Sequence, residues 1–158
     1  MPTVILKTII AAPMQKCFDL ARSIDLHVHS MKFSKEKAIA GRKSGLIDLH
    51  ETVTWKARHF GINFTMTSKV TTMESPVCFI DEMIKGPFKK LHHQHLFTSI
   101  QDVTEMTDIF EFNAPAGIFG LIVEQLFLKE YMVDLLRKRN LMIKAAAENG
   151  LFQDLSID

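Results

Sequence analysis

Residues 51–112 alternate between apolar and polar side chains, and short turn-forming segments interrupt the alternation at intervals. A period of two places successive side chains on opposite faces of a β-strand, so this part of the chain is predicted to form a sheet. The turns are His59-Phe60-Gly61, Glu74-Ser75-Pro76, Lys85-Gly86-Pro87 and Ile100-Gln101-Asp102. Because these connections are short, neighbouring strands are predicted to pair antiparallel, as a five-stranded meander.

One face of the predicted meander is nearly all apolar, and the opposite face is polar. Within the apolar face, however, stand the polar residues Glu51, Ser68, Asp81, His93, His95 and Asp108. A buried charge is unfavourable unless it finds a partner or water, so a simple packed core would not hold these groups. We therefore expect this face to line a cavity.

Hairpin register places several of these residues next to one another. If each hairpin closes at its turn, the opposing pairs are Trp55 with Met66, Ser68 with Asp81, Asp81 with His93, and His95 with Asp108. The register therefore predicts two neighbouring pairs of one histidine and one aspartate each.

The rest of the chain predicts one further strand and three helices. Residues 2–11 are rich in β-branched side chains and form a predicted strand that ends before Pro13. Two short helices follow, the first starting at Pro13 and the second over residues 23–31. The basic residues 32–45 are interpreted as a solvated loop, with an anion site as the alternative. A long helix is predicted from Ile118 to about Glu148, which completes an α+β fold with a curved sheet wrapped around this helix.

Length, charge and cysteine content exclude several classes of protein. A chain of 158 residues fits one domain, residues 1–158, and a net charge of +1 provides no long-range attraction for nucleic acid. Charged residues interrupt the apolar segment 118–136, so it is not expected to span a membrane. Cys17 and Cys78 form no C-x-x-C pattern and the N-terminus lacks a secretion signal, which together favour a reducing cytoplasm.

A series of short motifs runs in order along nearly the whole chain. The motifs are Ala12-Pro13 with Phe18-Asp19-Leu20-Ala21-Arg22, Ala40-Gly41-Arg42 with Ser44-Gly45-Leu46, Glu51 to Gly61, Phe79-Ile80-Asp81 with Gly86-Pro87-Phe88, His93-x-His95-x-Phe97, and Thr104-x-Met106-x-Asp108 followed by Pro115. The series resembles the START-like (SRPBCC) superfamily with the helix-grip fold. It is most similar to a bacterial branch described as polyketide cyclase/dehydrase-like or cell-division-protein-like, most of whose members have no assigned function.

The resemblance implies that an apolar small molecule binds between the sheet and the long helix, in some members with cyclase or dehydratase chemistry. We expect a lipid, aromatic or polyketide-like ligand, and no cofactor, metal or nucleic acid. The residues expected to contact it are Glu51, Trp55, Phe64, Met66, Ser68, Phe79, Asp81, His93, His95, Asp108, Phe110 and Gln125. Gln125 is included because it shares the apolar arc of the long helix, although a side chain there can also extend to solvent at the rim.

Four hypotheses explain the cluster of Asp81, His93, His95 and Asp108. The groups form either a network that satisfies itself and fixes strand register, or the polar end of a ligand pocket. In an enzyme, one imidazole is a general base oriented by one of the two aspartates. In a metal protein, both histidines and Asp108 form a two-histidine, one-carboxylate triad.

Two further features leave alternatives open. His27 and His29 lie near the break between the short helices, either at the cavity entrance or on the surface, and His59 is assigned to solvent at a hairpin tip. A different class of function is an interaction module that contacts a protein partner through the basic residues 32–43 or through a helix face.

Overall fold

Seven antiparallel strands form one sheet in the computed structural model, which describes residues 1–115 and 125–150 and, in the C-terminal helix, side chains from residue 127 onward. In chain order the elements are β1 (Thr3–Ile10), α1 (Met14–Ala21), α2 (Ile24–Ser30), a 3₁₀ helix (Lys32–Ser34), β2 (Lys37–Gly41), β3 (Thr52–His59), β4 (Ile62–Glu74), β5 (Cys78–Lys85), β6 (Lys90–Ile100), β7 (Val103–Asn113) and α3 (Gln125–Asn149). The spatial order of the strands is β1-β7-β6-β5-β4-β3-β2. The predicted α+β class, the meander and the two short helices after the first strand are confirmed.

Two hairpins close with two-residue turns. Between β3 and β4, Phe60 and Gly61 have φ angles of 53° and 74°, the left-handed values that a type I′ turn requires at both central positions. Between β6 and β7, Ile100 pairs with Val103 and the chain turns at Gln101, whose φ is 54°. Turns this short fix the register of the strands that they join.

The observed register confirms most of the predicted pairs and corrects one. Trp55 lies opposite Met66, Asp81 opposite His93, and His95 opposite Asp108. Ser68, however, lies opposite Met83, and Asp81 lies opposite Val70. The β4–β5 hairpin turns later than predicted, at residues 75–77, and the register shifts again between Val70 and Thr72. Ser68 and Val70 are two positions apart, so both lie on the buried face.

The prediction of a loop over residues 32–45 is wrong in part. Lys37–Gly41 is the edge strand β2, and it pairs with β3 so that Ala38 lies opposite Trp55. Because its other edge has no neighbouring strand, β2 is mostly exposed and its side chains lack the apolar alternation of a half-buried strand. The predicted start of the long helix at Ile118 lies outside the described residues.

The core consists of three apolar clusters on the concave side of the sheet. One joins α1 to the C-terminal part of α3, with Phe18 and Ile143 at its centre, and a second joins β6 and β7 to Leu128 and Leu136 of α3. The third lies under β3 and α2 and includes Trp55. Within the part of the chain that is described, no helix combines the length and apolarity needed to cross a membrane.

Candidate functional site

The three core clusters do not close completely on one another, and a cavity of about 220 Å³ lies between the sheet, α2 and α3. Most of its wall is apolar. Of the residues predicted to contact a ligand, those in the cavity wall are Trp55, Phe64, Met66, Ser68, Phe79, Asp81, His93, His95 and Phe110. These residues lie on β3, β4, β5, β6 and β7, so the inward face identified from the alternation is the wall of the cavity.

The structure places the remaining predicted contact residues elsewhere. Asp108 is 0% exposed and lies behind the two histidines rather than in the wall. Glu51 precedes the first residue of β3, and its carboxylate accepts hydrogen bonds from Arg42 at 2.6 and 2.9 Å, away from the cavity. The prediction that Glu51 lies on the inward face is therefore wrong, because the strand begins one residue later. Gln125 lies in α3, but its side chain is outside the described part of the helix.

Asp108 is the centre of the polar cluster. Its Oδ1 accepts hydrogen bonds from Nε2 of His93 at 2.8 Å and from Nη1 of Arg139 at 3.3 Å, and lies 3.2 Å from Nδ1 of His95. Its Oδ2 accepts from Nδ2 of Asn140 at 2.6 Å. This one carboxylate therefore connects β6, β7 and α3 in a region that excludes water.

The strand register was predicted correctly, but each histidine forms its hydrogen bond with the aspartate diagonal to it and not with the one directly opposite. His93 lies opposite Asp81 in the sheet but bonds to Asp108, whereas His95 lies opposite Asp108 and bonds through Nε2 to Asp81 Oδ1 at 2.9 Å. Diagonal pairs of this kind are within reach of long side chains on one face of a sheet. Each aspartate therefore contacts a histidine on the adjacent strand, and the two imidazole rings lie 3.8 Å apart between centroids.

Arg139 and Asn140 are the site residues that sequence reasoning missed. Arg139 is only 5% exposed, and besides Asp108 its guanidinium donates to Ala21 O at 3.0 Å and to Asn140 Oδ1 at 3.1 Å. Both residues lie on α3 between the buried residues Leu136 and Ile143. The sequence did contain an indication of this role, because Arg139 is a charged residue on the apolar arc of the helix and a buried charge needs a partner.

Burial and the neighbouring charges set the protonation of the cluster. Burial alone would raise the pKa of Asp108, but hydrogen bonds from His93 and His95 and the charge of Arg139 hold it well below the ordinary carboxyl value. Burial would likewise raise the pKa of Asp81, and the hydrogen bond from His95 lowers it. Burial and the adjacent His95 lower the pKa of His93 to about 4. At neutral pH Asp81 and Asp108 are therefore carboxylates and His93 is uncharged.

A second polar group lies in the wall of the same cavity. Nε2 of His27 lies 2.7 Å from Glu36 Oε1, and its ring packs on Trp55 with 4.3 Å between centroids. Nδ1 of His59 lies 2.6 Å from the hydroxyl of Tyr131 on α3. The assignment of His59 to solvent is wrong, since the hairpin tip folds against α3 and burial lowers the pKa of this imidazole.

No protein-family model matches the chain, and no curated protein matches it by sequence. Solved structures do match it. The protein TTHA0849 from Thermus thermophilus has a TM-score of 0.72 at 16% identity, with 93% of this chain and 100% of that one covered. A START superfamily protein from Mycobacterium smegmatis has a TM-score of 0.71 at 12% identity, over 93% and 97% of the two chains. The ginseng major latex-like protein 151 from Panax ginseng has a TM-score of 0.65 at 12% identity, over 92% and 97%.

These likenesses extend over nearly the full length of each chain. The chain therefore has the START-like helix-grip fold, as the sequence motifs implied: a curved antiparallel sheet, a long C-terminal helix, and two short helices after the first strand. At such low sequence identity the structural similarity supports only a shared fold and not a shared function. Any function must be argued from the cavity and its own side chains.

Proposed function

We propose that the chain binds a hydrophobic small molecule in the cavity between the sheet and α3. The observation that carries this proposal is a mostly apolar cavity of about 220 Å³ with the compact cluster of Asp81, His93 and His95 in its wall. Ligand sites in proteins have this composition, with apolar walls for affinity and a few polar groups for orientation. Each methylene group that a ligand buries there contributes roughly 0.8 kcal/mol to binding.

The polar cluster favours ligands that donate hydrogen bonds. Asp81 is about a quarter exposed and lines the cavity, so part of its carboxylate faces the ligand space. A ligand carboxylate placed beside Asp81 would meet a like charge, which disfavours its binding. We therefore infer a neutral ligand with a hydroxyl group, such as a phenol or a polyketide-like aromatic, rather than a fatty acid.

The wall is suited to an aromatic ligand. Phe79 stacks on His95 with 4.0 Å between ring centroids, and Phe110 meets His93 edge-on at 5.1 Å. Aromatic contacts of these geometries are favourable beyond the area that they bury. Two free thiols, Cys17 and Cys78, support a cytoplasmic location for the binding protein, because disulfides are rare in that compartment.

Extraction of native protein into organic solvent, followed by mass spectrometry, tests the proposal. We expect an apolar molecule in stoichiometric amount from the wild-type protein. Ala57 lines the cavity, so Ala57→Phe should fill it and abolish the bound molecule, whereas Lys56→Phe on the exposed face of the same strand should retain it. A molecule that both variants retain equally would show that it binds elsewhere.

A second candidate function is supported by the His93–Asp108 pair. An imidazole that donates to a buried carboxylate and also lines a cavity has the geometry of an oriented general base for cyclisation or dehydration. Its low pKa makes it a weak base at neutral pH. If the chain is an enzyme, His93→Gln should abolish turnover of the extracted ligand while His92→Gln, on the opposite face of β6, should leave it unchanged; equal turnover in both variants would exclude this role.

A further inference from the structure

The arrangement of Asp81, His93, His95 and Asp108 has a property that ligand binding does not require. One nitrogen of each histidine lies close to the same buried oxygen: His93 Nε2 donates to Asp108 Oδ1 at 2.8 Å, and His95 Nδ1 lies 3.2 Å from that oxygen. The other nitrogen of each ring is therefore turned away from Asp108. Those nitrogens are Nδ1 of His93 and Nε2 of His95.

A third potential ligand lies beside these histidines. Asp81, His93 and His95 each offer a nitrogen or oxygen atom, and these atoms all lie within 4.8 Å of one another. All three residues also line the cavity. Side-chain rotations that bring these atoms closer together would let them bind one transition metal ion at the usual nitrogen and oxygen distances of about 2.0–2.2 Å.

We propose that Asp81, His93 and His95 form a binding site for a divalent first-row transition metal ion, with Asp108 as the outer-sphere partner of both histidines. Two imidazoles and one carboxylate are a donor set for Zn²⁺, Fe²⁺ or Co²⁺ rather than for Mg²⁺ or Ca²⁺, which prefer oxygen. Metal-binding histidines usually direct their second ring nitrogen at a carboxylate, which fixes ring orientation and tautomer. Asp108 has this relation to His93, and Nδ1 of His95 lies 3.2 Å from the same carboxylate.

The structure also corrects the form of triad that the sequence suggested. The sequence pattern grouped Asp108 with the two histidines as a ligand, but Asp108 is 0% exposed and its oxygens contact His93, Arg139 and Asn140. Asp81 is the carboxylate that the cavity reaches. A metal ion held by Asp81 and the histidines would keep its remaining coordination positions open toward the cavity.

The charges around the cluster suit a divalent cation. Asp81 and Asp108 contribute two negative charges, and Arg139 contributes one positive charge. Arg139 lies on the Asp108 side of His95, where its Nη2 is 3.4 Å from Nδ1, so it does not occupy the space between the proposed ligands. Binding would break the bond of 2.9 Å between His95 Nε2 and Asp81 and make that nitrogen available to the metal ion.

Titration with Co²⁺ tests the proposal on full-length protein purified without an affinity tag and treated with a chelator. We expect saturable, equimolar binding and the visible absorption bands of a Co²⁺ ion with nitrogen ligands. Replacing one ligand, in Asp81→Asn, His93→Gln or His95→Gln, should lower the affinity and alter those bands. Asp108→Asn should lower the affinity by about 10–100-fold, because it removes only an outer-sphere contact, and should leave the bands in place.

His92→Gln is the matched control, because it removes an imidazole from the outer face of the same strand and should bind Co²⁺ as the wild type does. A wild-type protein that does not bind Co²⁺, or a His92→Gln variant that loses as much affinity as His93→Gln, would overturn the proposal. Should a variant fail to fold, paramagnetically shifted ring signals from two histidines in the Co²⁺-loaded wild type would support the site, and their absence would refute it. Because ligand extraction is measured separately, a protein that carries an apolar molecule but binds no Co²⁺ would overturn only the metal site.

Discussion

Removal of the Arg139 guanidinium should destabilise the fold strongly. In Arg139→Met the aliphatic part of the side chain is kept, but the hydrogen bonds to Asp108, Asn140, Ala21 and His95 are lost. Arg139 is 5% exposed and Asp108 is 0% exposed, so water cannot replace the missing partner. Breaking a buried ion pair by removing one member costs about 3–5 kcal/mol, and we expect the free energy of unfolding to fall by that amount.

Urea denaturation followed by far-ultraviolet circular dichroism measures the effect. Arg137→Met is the control, because Arg137 pairs with Asp134 at 3.8 Å with both side chains mostly exposed, and its loss should change stability by less than about 0.5 kcal/mol. In the double variant Arg139→Met, Asp108→Asn, the buried carboxylate charge is also removed. Its cost should therefore be smaller than the sum of the two single costs. If Arg139→Met costs no more than Arg137→Met, the buried charge network is not what holds α3 on the sheet.

Three other predictions concern the ligand, the pH response and the core. 2-Naphthol should bind about tenfold or more tightly than 2-naphthoate by isothermal calorimetry, because the Asp81 carboxylate lines the cavity and repels a ligand carboxylate; a preference for the carboxylate would contradict this. Folding lowers the pKa of His59 below its unfolded value of 6.5. The stability that the neutral imidazole contributes is therefore fully present above pH 6.5 and is lost as the pH falls below 6.5. The urea midpoint of the wild type should therefore fall more between about pH 7.5 and about pH 5.5 than that of His59→Gln, and identical slopes would refute the assignment. Phe18→Ala, at 0% exposure, should cost about 3–5 kcal/mol of unfolding free energy, whereas the exposed Phe33→Ala should cost less than about 1 kcal/mol; similar costs would contradict the core described above.

The sheet was predictable where its pattern is local. Alternation of apolar and polar residues marks β3 to β7 because each of these strands has one buried and one exposed face. The strand Lys37–Gly41 was not predicted, because an edge strand that is mostly exposed does not need alternating apolar and polar residues. The pairing of Ser68 was mispredicted because the position of the turn and the bulge in β4 depend on backbone details that residue types do not specify.

The candidate site was predictable only in part. The register correctly placed Asp81, His93, His95 and Asp108 together, because side chains on one face of paired strands are neighbours. Which histidine bonds to which aspartate depends on side-chain rotamers, and those are set by Arg139 on a helix distant in sequence. His59 was assigned to solvent because nothing local indicates that a hairpin tip packs against Tyr131.

The central claim is that the cavity between the sheet and α3 holds an apolar molecule. Intermolecular nuclear Overhauser effects between a bound molecule, either the extracted one or 2-naphthol, and protons of the protein test this most directly. Trp55 is the only tryptophan of the chain and lines the cavity together with Phe110, so both side chains should give cross-peaks to the ligand. Cross-peaks confined to exposed residues such as Phe33 or Ile5, with none to Trp55 or Phe110, would contradict the claim.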